Sequence, residues 1–577
     1  MLTCKGDSPL KKVLCFLIAL LLLLCGCNSP DAPYPPTNNG DGTTGNSITT
    51  TIGGENVDPG VSQPNDNTAS TTGTRNDSDV STTGSSGSAS TESTTTTQPT
   101  EPICAHKDAD NNEICDVCKS SVIVVFDFYS INDLHGKFAD ADSNIGVDEM
   151  TTYFKNALKT DQHAILLSAG DMWQGSSESN MTKGKILVDW MNQLDFTAMA
   201  IGNHEFDWGE EYIASNAEFA DFPFVAINIY DRSTNQLVDY CTPSVMVDRD
   251  GLQIGIIGAI GDCYSSIAVD KCDEVYFKVG RELTNLVKNE ADRLRHEGAD
   301  FIVYLLHDGY GSSQSGSLSS SQMSSYYDAS LSDGYVDLVF EGHTHQGYRV
   351  MDEHGVYHLQ NRGDNKGGIS HAEVAINSVT LQSTVRTAEL VQNYAYQNLA
   401  DDPIVAELMK KYEKEIAGAN RVLGYNSRYR NSDFLLATVA KLYYELGEKT
   451  WGNQYDIVLG GGFMSARSPY NLPAGEVTYG ELQSILPFDN QLTLCSVKGR
   501  YLKSKFLETN NDRYYIHCGD YGNSIRDKID PNATYYLITD SYSAYYAPNN
   551  LTVIAEYDPN IFARDLLADY IEAGGFD

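Results

Sequence analysis

One pattern, repeated five times, constrains this chain more than any other: a short apolar, β-branched or aromatic run stops at residue types that bind metal ions. From Val122 the run VIVVFDFYSI reads as a buried strand and ends at Asn132-Asp133-Leu134-His135-Gly136. Ala164 to Leu167 leads into Ser168-Ala169-Gly170-Asp171, and Thr197 to Ile201 leads into Gly202-Asn203-His204-Glu205-Phe206-Asp207. Phe301 to Leu306 ends at His307, and Val336 to Phe340 ends at Glu341-Gly342-His343-Thr344-His345. In sheets flanked by helices, ligands bind beyond the carboxyl ends of strands, so these five ends are expected to converge on one crevice. Glu149 to Leu158 and Arg281 to His296 carry the spaced apolar residues of amphipathic helices, which predicts an α/β layered domain over about 121–393. A lone His or strand-end Asp is ordinarily a surface residue or a turn former; five successive strand ends point to one site. His296, His354, His358 and His371 lack that context and read as ordinary histidines.

At 577 residues the chain calls for two globular domains plus non-globular sequence. Lys11 and Lys12 precede an apolar run from Val13 to Leu24, too short for a stable spanning helix but suited to a signal-peptide core. Its end, Leu24-Cys25-Gly26-Cys27, resembles the bacterial lipoprotein signal, which implies lipid attachment at Cys27 and a place on the outer face of the cell membrane. Residues 28–101 are Ser, Thr, Gly, Asn and Pro with almost no large apolar side chains, the composition of a disordered stalk. A net charge of -38, from 78 acidic against 40 basic residues, argues against nucleic-acid polymers or anionic lipid as a partner surface. A phosphate substrate would therefore need local cations at its site.

Residues 102–120 form a small module of their own. Cys104, His106, Cys115 and Cys118 have a spacing that suits tetrahedral zinc, and in an exported chain equally a disulfide. Asp108, Asp110 and Asn112 open like a calcium loop, but Glu113 stands where such loops need glycine and Lys119 where they need a bidentate Glu. Cys263 with Cys272, and Cys495 with Cys518, are close enough in sequence to pair; Cys241 has no obvious mate. No cysteine lies in a motif that would activate a thiol for catalysis.

The segments NDLHG, AGDMWQG, GNHEFDWG, LLHDG and GHTH, in this order, resemble the 5'-nucleotidase family of calcineurin-like metallophosphoesterases over about residues 122–390. The resemblance implies a four-layer α/β/β/α sandwich followed by a smaller α/β (α+β) substrate-binding domain, here 421–577 after a linker helix at 394–420. It also implies two divalent ions: one on Asp133, His135 and His345, the second on Asn203, His307 and His343, with Asp171 shared. Some relatives have an amide at the position of His345. The family's His-Asp pair falls on His204 and Asp207. Two such ions, about 3.5–4 Å apart, clamp phosphoryl oxygens and lower the pKa of a shared water, so that hydroxide attacks phosphorus in line. Imidazole and carboxylate donors suit zinc, manganese or iron.

The C-terminal match is partial. SRYRNSDFLLATVAKL resembles the family's arginine-bearing helix entry, which makes Arg428 the counterpart of a substrate arginine, with Arg430 next. Leu459 stands for the asparagine of an Asn-Gly-Gly-Gly loop and Met464 for its arginine, with Arg467 three residues on. AGEVTYGELQSILPFDNQL places one stacking aromatic at Phe488, and the second falls at Tyr545 or Tyr546. The reading is an exported hydrolase of extracellular nucleotides. Its alternatives are a 2',3'-cyclic nucleotide phosphodiesterase, a nucleotide-sugar hydrolase or another phosphoesterase on the same site. A surface binding protein with a vestigial site is the alternative from another class, and the complete ligand set counts against it.

Overall fold

Strand β1 (Ile123–Ile131) is apolar on both faces because both faces are covered. Phe126 and Phe128 enter a core between two sheets, while Tyr129 and Ile131 enter a core beneath helices. The computed structural model describes residues 104, 106–139, 146–309, 312–313, 316–317, 335–363, 368–462, 471–507, 515–519, 525–546 and 551–576. All lie in one compact unit, Gln98–Asp577. The signal-like segment, Cys27, the stalk, Met464 and Arg467 fall outside the described residues, as does the side chain of Tyr546.

The first sheet continues with β2 (Ile165–Ser168), β3 (Ala198–Ala200) and β4 (Phe224–Val225), each parallel to its neighbour. A second sheet is built from β5 (Ser244–Arg249), β6 (Leu252–Ile260), β7 (Phe301–His307), β8 (Leu338–Glu341), β9 (Tyr348–Met351) and β10 (Tyr357–Gln360). Its order is β9-β10-β8-β7-β6-β5, with β6, β7, β8 and β10 mutually parallel. The chain then returns to the first sheet as the antiparallel pair β11 (Ile369–Asn377) and β12 (Ser383–Val391), giving the order β12-β11-β1-β2-β3-β4. The sheets face each other through Phe126, Phe128, Ile254, Phe301 and Phe340.

Helices cover the outer faces. Helix α1 (Asp148–Thr160) buries Met150 and Phe154 against the first sheet, with Asp148 and Glu149 at its amino end and Lys159 at its carboxyl end, in accord with the helix dipole. Helix α2 (Lys185–Asn192) lies in the same layer. On the second sheet, helix α3 (Arg281–His296) buries Leu283, Val287, Ala291 and Leu294 at three- and four-residue spacing. This is the expected four-layer sandwich.

Helix α4 (Pro403–Lys411) starts on Asp402, whose side chain accepts from the Ile404 N–H at 3.1 Å, and packs Val405 and Leu408 into the first domain's helical layer. Beyond it, helix α5 (Ser432–Trp451) is capped by Asn431. It covers a five-stranded sheet of β13 (Ile457–Gly462), β14 (Leu492–Lys498), β15 (Tyr515–His517), β16 (Thr534–Asp540) and β17 (Thr552–Glu556), in the order β15-β13-β16-β14-β17. Among the described residues no helix is long and apolar enough to cross a membrane.

Cys263 with Cys272 and Cys495 with Cys518, close enough in sequence to pair, are not joined; every described cysteine is free. Cys263 Sγ donates to the His307 carbonyl at 3.4 Å and Cys272 Sγ to that of Ala268 at 3.7 Å, so both behave as small buried residues with weak donors. His371 on β11 stacks on Tyr129 and lies 2.6 Å from Asp127 and 3.2 Å from Glu389. Burial disfavours its charged form, but these two carboxylates outweigh burial and raise its pKa. A raised folded pKa gives stability that is complete below the unfolded value of about 6.5 and is lost as pH rises through the folded value. His371→Gln is expected to cost about 1 kcal/mol at pH 6 and little at pH 9, measured by chemical denaturation at both pH values.

Candidate metal centre

The loop after β1 runs beside the loop after β2 as a continuation of the ladder. Asp133 N–H donates to the Gly170 carbonyl at 2.9 Å, His135 N–H to that of Asp171 at 3.1 Å and Gly136 N–H to that of Met172 at 2.8 Å. To turn side chains into the crevice, Asp133, His135, Asp171, His343 and His345 all adopt left-handed backbone, with φ from 50° to 72°. This region is sparsely populated by any residue but glycine, and Asp, Asn and His enter it most readily.

A carboxylate with no assigned role in the sequence reading ties two of these loops together. Glu205, fully buried, accepts from the N–H groups of Asp171 at 2.9 Å, Gly202 at 2.7 Å and Met172 at 2.8 Å. Burial, then the Asp171 charge, pushes its pKa up to about 7. Gly202 is required by space: a Cβ there would sit 2.3 Å from Asp171 Oδ1.

All seven sequence-predicted ligands arrive in this crevice. His343 Nδ1 is 2.8 Å and His307 Nε2 3.2 Å from Asn203 Oδ1, and His307 Nε2 is also 3.2 Å from Asp171 Oδ2. On the other side, His345 Nε2 is 2.9 Å from His135 Nε2 and 3.3 Å from Asp133 Oδ1. Donor atoms of Asp133, His135 and His345 form one group, those of Asp171, His307 and His343 a second, and Asp171 with His135 and His204 a third that joins them. His135 Nδ1 lies 3.2 Å from the Gln174 carbonyl and His307 Nδ1 2.7 Å from that of Ala169. A carbonyl only accepts, so each Nδ1 carries the proton and each Nε2 is the nitrogen turned to the other donor atoms of the crevice.

Such a cluster of imidazoles and carboxylates fits cations. Asp133 and Asp171 are at most 1% exposed, and among the described residues neither forms a salt bridge with Lys or Arg. Burial opposes ionisation of Asp171, yet His307 and His204 hold it well below the usual carboxylate range. Burial likewise opposes charge on His307, and the carboxylates of Asp171 and Asp133 raise it. Across the crevice the balance is reversed at His343, which burial and then the His307 charge push down to about 4.

His204 and Asp207 meet as expected, Nδ1 to Oδ2 at 2.7 Å, and the His204 N–H donates to Asp171 Oδ1 at 2.7 Å. From the C-terminal domain, the Phe488 ring lies 5.9 Å from the His204 ring. Arg564 places it: NH1 donates to the Phe488 carbonyl at 3.1 Å, NH2 bonds Asp489, and Asp489 Oδ2 takes Lys183 Nζ at 3.1 Å from the first domain. Arg428 is exposed on the loop before α5. Arg430 is instead committed to structure, donating to Asn426 Oδ1 and the Phe576 carbonyl, both at 2.9 Å. Tyr545 is exposed, whereas Tyr542, which the sequence reading passed over, reaches the Ser265 carbonyl at 3.4 Å and feels the Asp207 charge. Leu459 is fully buried in the core of the C-terminal sheet.

Residues 126–347 match the calcineurin-like phosphoesterase family. The chain is 24% identical to Protein UshA of Yersinia enterocolitica over 506 residues, 76% of this chain and 88% of that one. It is 22% identical to the 5'-nucleotidase of Diplobatis ommata over 445 residues, 68% of this chain and 71% of that one. The crystal structure of a 5'-nucleotidase precursor from Thermus thermophilus superposes with a TM-score of 0.59 at 18% identity, covering 78% of this chain and 96% of that one. Gly202→Ala is expected to lower phosphoester hydrolysis at least ~100-fold while far-UV circular dichroism stays unchanged, because the added methyl would meet the Asp171 carboxylate at 2.3 Å and its backbone nitrogen at 2.5 Å and so displace the ligand loop.

Proposed function

We propose that this chain, which belongs to the 5'-nucleotidase family of calcineurin-like phosphoesterases and is a metal-dependent phosphoester hydrolase, removes phosphate from nucleotides outside the cell. Nucleoside 5'-monophosphates are the default substrate. In this reading the catalytic domain spans 121–393, the substrate-binding domain 421–577, and a lipid on Cys27 tethers both through the 28–101 stalk.

One observation carries the assignment: two imidazoles locked by backbone carbonyls aim Nε2 at a pocket that already holds two buried carboxylates and the Asn203 carbonyl. We assign one divalent ion to Asp133, His135 and His345 and a second to Asn203, His307 and His343, with Asp171 between them. When bound, such a pair polarises the phosphoryl oxygens and makes water nucleophilic at neutral pH. Imidazole, carboxylate and amide donors without thiolate suit zinc, manganese or iron.

The remaining work falls to the chain's own groups. Asp207 holds His204 by Nδ1 and fixes the ring, which leaves Nε2 to stabilise or protonate the leaving oxygen. Phe488, fixed by Arg564 and Asp489, offers a π face to the base beside His204. Arg428 supplies positive charge for the rest of the substrate, with Arg467 and Tyr546 as further candidates by sequence. Burial of Leu459, at the position where the family has asparagine, favours a second reading in which the same centre acts on a cyclic nucleotide, a nucleotide sugar or a simpler ester.

Phosphate release should be measured from a panel of nucleotides and plain esters with metal-reconstituted protein. His204→Ala is expected to lose roughly 10²–10⁴-fold in kcat, and Asp171→Asn to lose activity together with metal. Equal inactivity of wild type and both variants on every substrate would sink the catalytic reading. Phe488→Ala is expected to weaken use of nucleotides by roughly 5- to 150-fold, the worth of one stacked base, and to leave a plain alkyl phosphate unaffected; an equal loss on both would remove the stacking role.

A further inference from the structure

The fifteen residues from Cys104 to Cys118 contain almost nothing that can build a core: among those described, only Asp108 and Cys115 are buried. A segment so poor in apolar contacts holds a defined fold only with a cross-link or a metal. Its three aspartates are spent on shaping the loop. The Asp108 carboxylate accepts the N–H groups of Asn112 at 3.0 Å and Glu113 at 2.8 Å, one on each oxygen. Asp116 Oδ2 accepts the Ala109 N–H at 2.9 Å, and Asp110 Oδ2 accepts from the Asn112 side chain at 2.9 Å. Carboxylates engaged in this way do not assemble an oxygen cage for calcium.

The sulfurs and the imidazole do converge. Cys104 Sγ lies 3.7 Å from Cys115 Sγ, Cys118 Sγ lies 3.6 Å from His106 Nδ1, and the four donors form one group. A disulfide would need about 2.05 Å between sulfurs. Tetrahedral zinc, with Zn–S of about 2.3 Å and Zn–N of about 2.05 Å, sets ligand separations of about 3.8 Å for S···S and about 3.6 Å for S···N. Both observed spacings agree with these values. The Cys-x-x-Cys turn also aims the N–H groups of Val117 and Cys118 at Cys115 Sγ, at 3.4 and 3.5 Å, as suits a sulfur that carries negative charge. The loop is tied to the entry of β1: Val122 N–H donates to the Glu113 carbonyl at 2.9 Å, and Ser378 N–H, next to β11, donates to the Val122 carbonyl at 2.8 Å.

We propose that Cys104, His106 through Nδ1, Cys115 and Cys118 bind a structural zinc ion, separate from the centre at 133–345, that closes this loop onto the start of the first sheet. The site has four protein ligands and no open position, so it holds structure and does no chemistry; its three thiols give up their protons when the metal enters.

The test uses the full chain, stripped of metal under reducing conditions and titrated with cobalt(II). Because the other centre offers no thiolate, a sulfur-to-cobalt charge-transfer band reports this site alone. The band is expected in wild type and in Asp171→Asn, is expected to be lost in Cys115→Ser, and is expected to persist with at least ~10-fold weaker cobalt affinity in His106→Ala. Absence of the band in wild type overturns the proposal. So does a peptide spanning 104–118 that is found, from the freshly purified unreduced chain denatured with chelator, two hydrogens lighter and able to take up only one alkyl group on its three cysteines, since that is a disulfide; this measurement stands even if Cys115→Ser fails to fold.

Discussion

The Glu205 carboxylate takes three backbone N–H groups from the loops that follow the paired strands β2 and β3, and the rest of the centre inherits its position from that bond set. With Asp171 and Gly202 fixed to the same anion, Asp171 Oδ1 can receive the His204 N–H, and His204 in turn can face Asp207. His307 closes against the Ala169 carbonyl of the same loop. An apolar side chain in place of Glu205 would leave three buried donors without a partner, each worth about 1–3 kcal/mol. The cluster is thus organised from beneath by an anion whose bonds go to the backbone that carries the ligands.

The strand ends were legible because each fully buried strand is a near-continuous apolar run, and a polar ligand pair interrupts it abruptly. Helix Arg281–His296 was read to its observed bounds since its apolar spacing and basic last turn agree. What could not be read is pairing at long separation. Nothing in Ile369–Val391 announces that it returns to β1 and not to the sheet just completed. Glu205 was hidden inside a motif whose neighbours are ligand candidates, and local pattern does not separate a carboxylate that accepts backbone N–H groups from one that binds metal. The Lys183–Asp489–Arg564 chain joins residues more than 300 positions apart in sequence at its extremes, so no window could hold it. Cysteine pairing was undecidable in the sequence for a related reason: nearness along the chain does not show the carbonyls that the Cys263 and Cys272 thiols reach.

The charge balance acquires a local meaning from this geometry. Acidic residues outnumber basic ones almost two to one, yet the crevice gathers imidazoles at four of its seven candidate ligand positions and, among the described residues, pairs its two buried aspartates with no lysine or arginine. Permanent side-chain cations there would compete with exchangeable ones. Arginine is used instead at a distance, where Arg564 sets the Phe488 loop and Arg430 anchors the C-terminal residues.

The five left-handed ligand positions bear on how this centre can drift. A β-branched side chain in such a conformation costs about 1–2 kcal/mol in backbone alone, before any donor is lost, so neutral exchange through valine, isoleucine or threonine is closed at these sites. Asparagine and glycine stay open, because the backbone already suits them. Position 345 is one of the five. The substitutions a lineage can sample there are therefore filtered first by the turn and only afterwards by the metal.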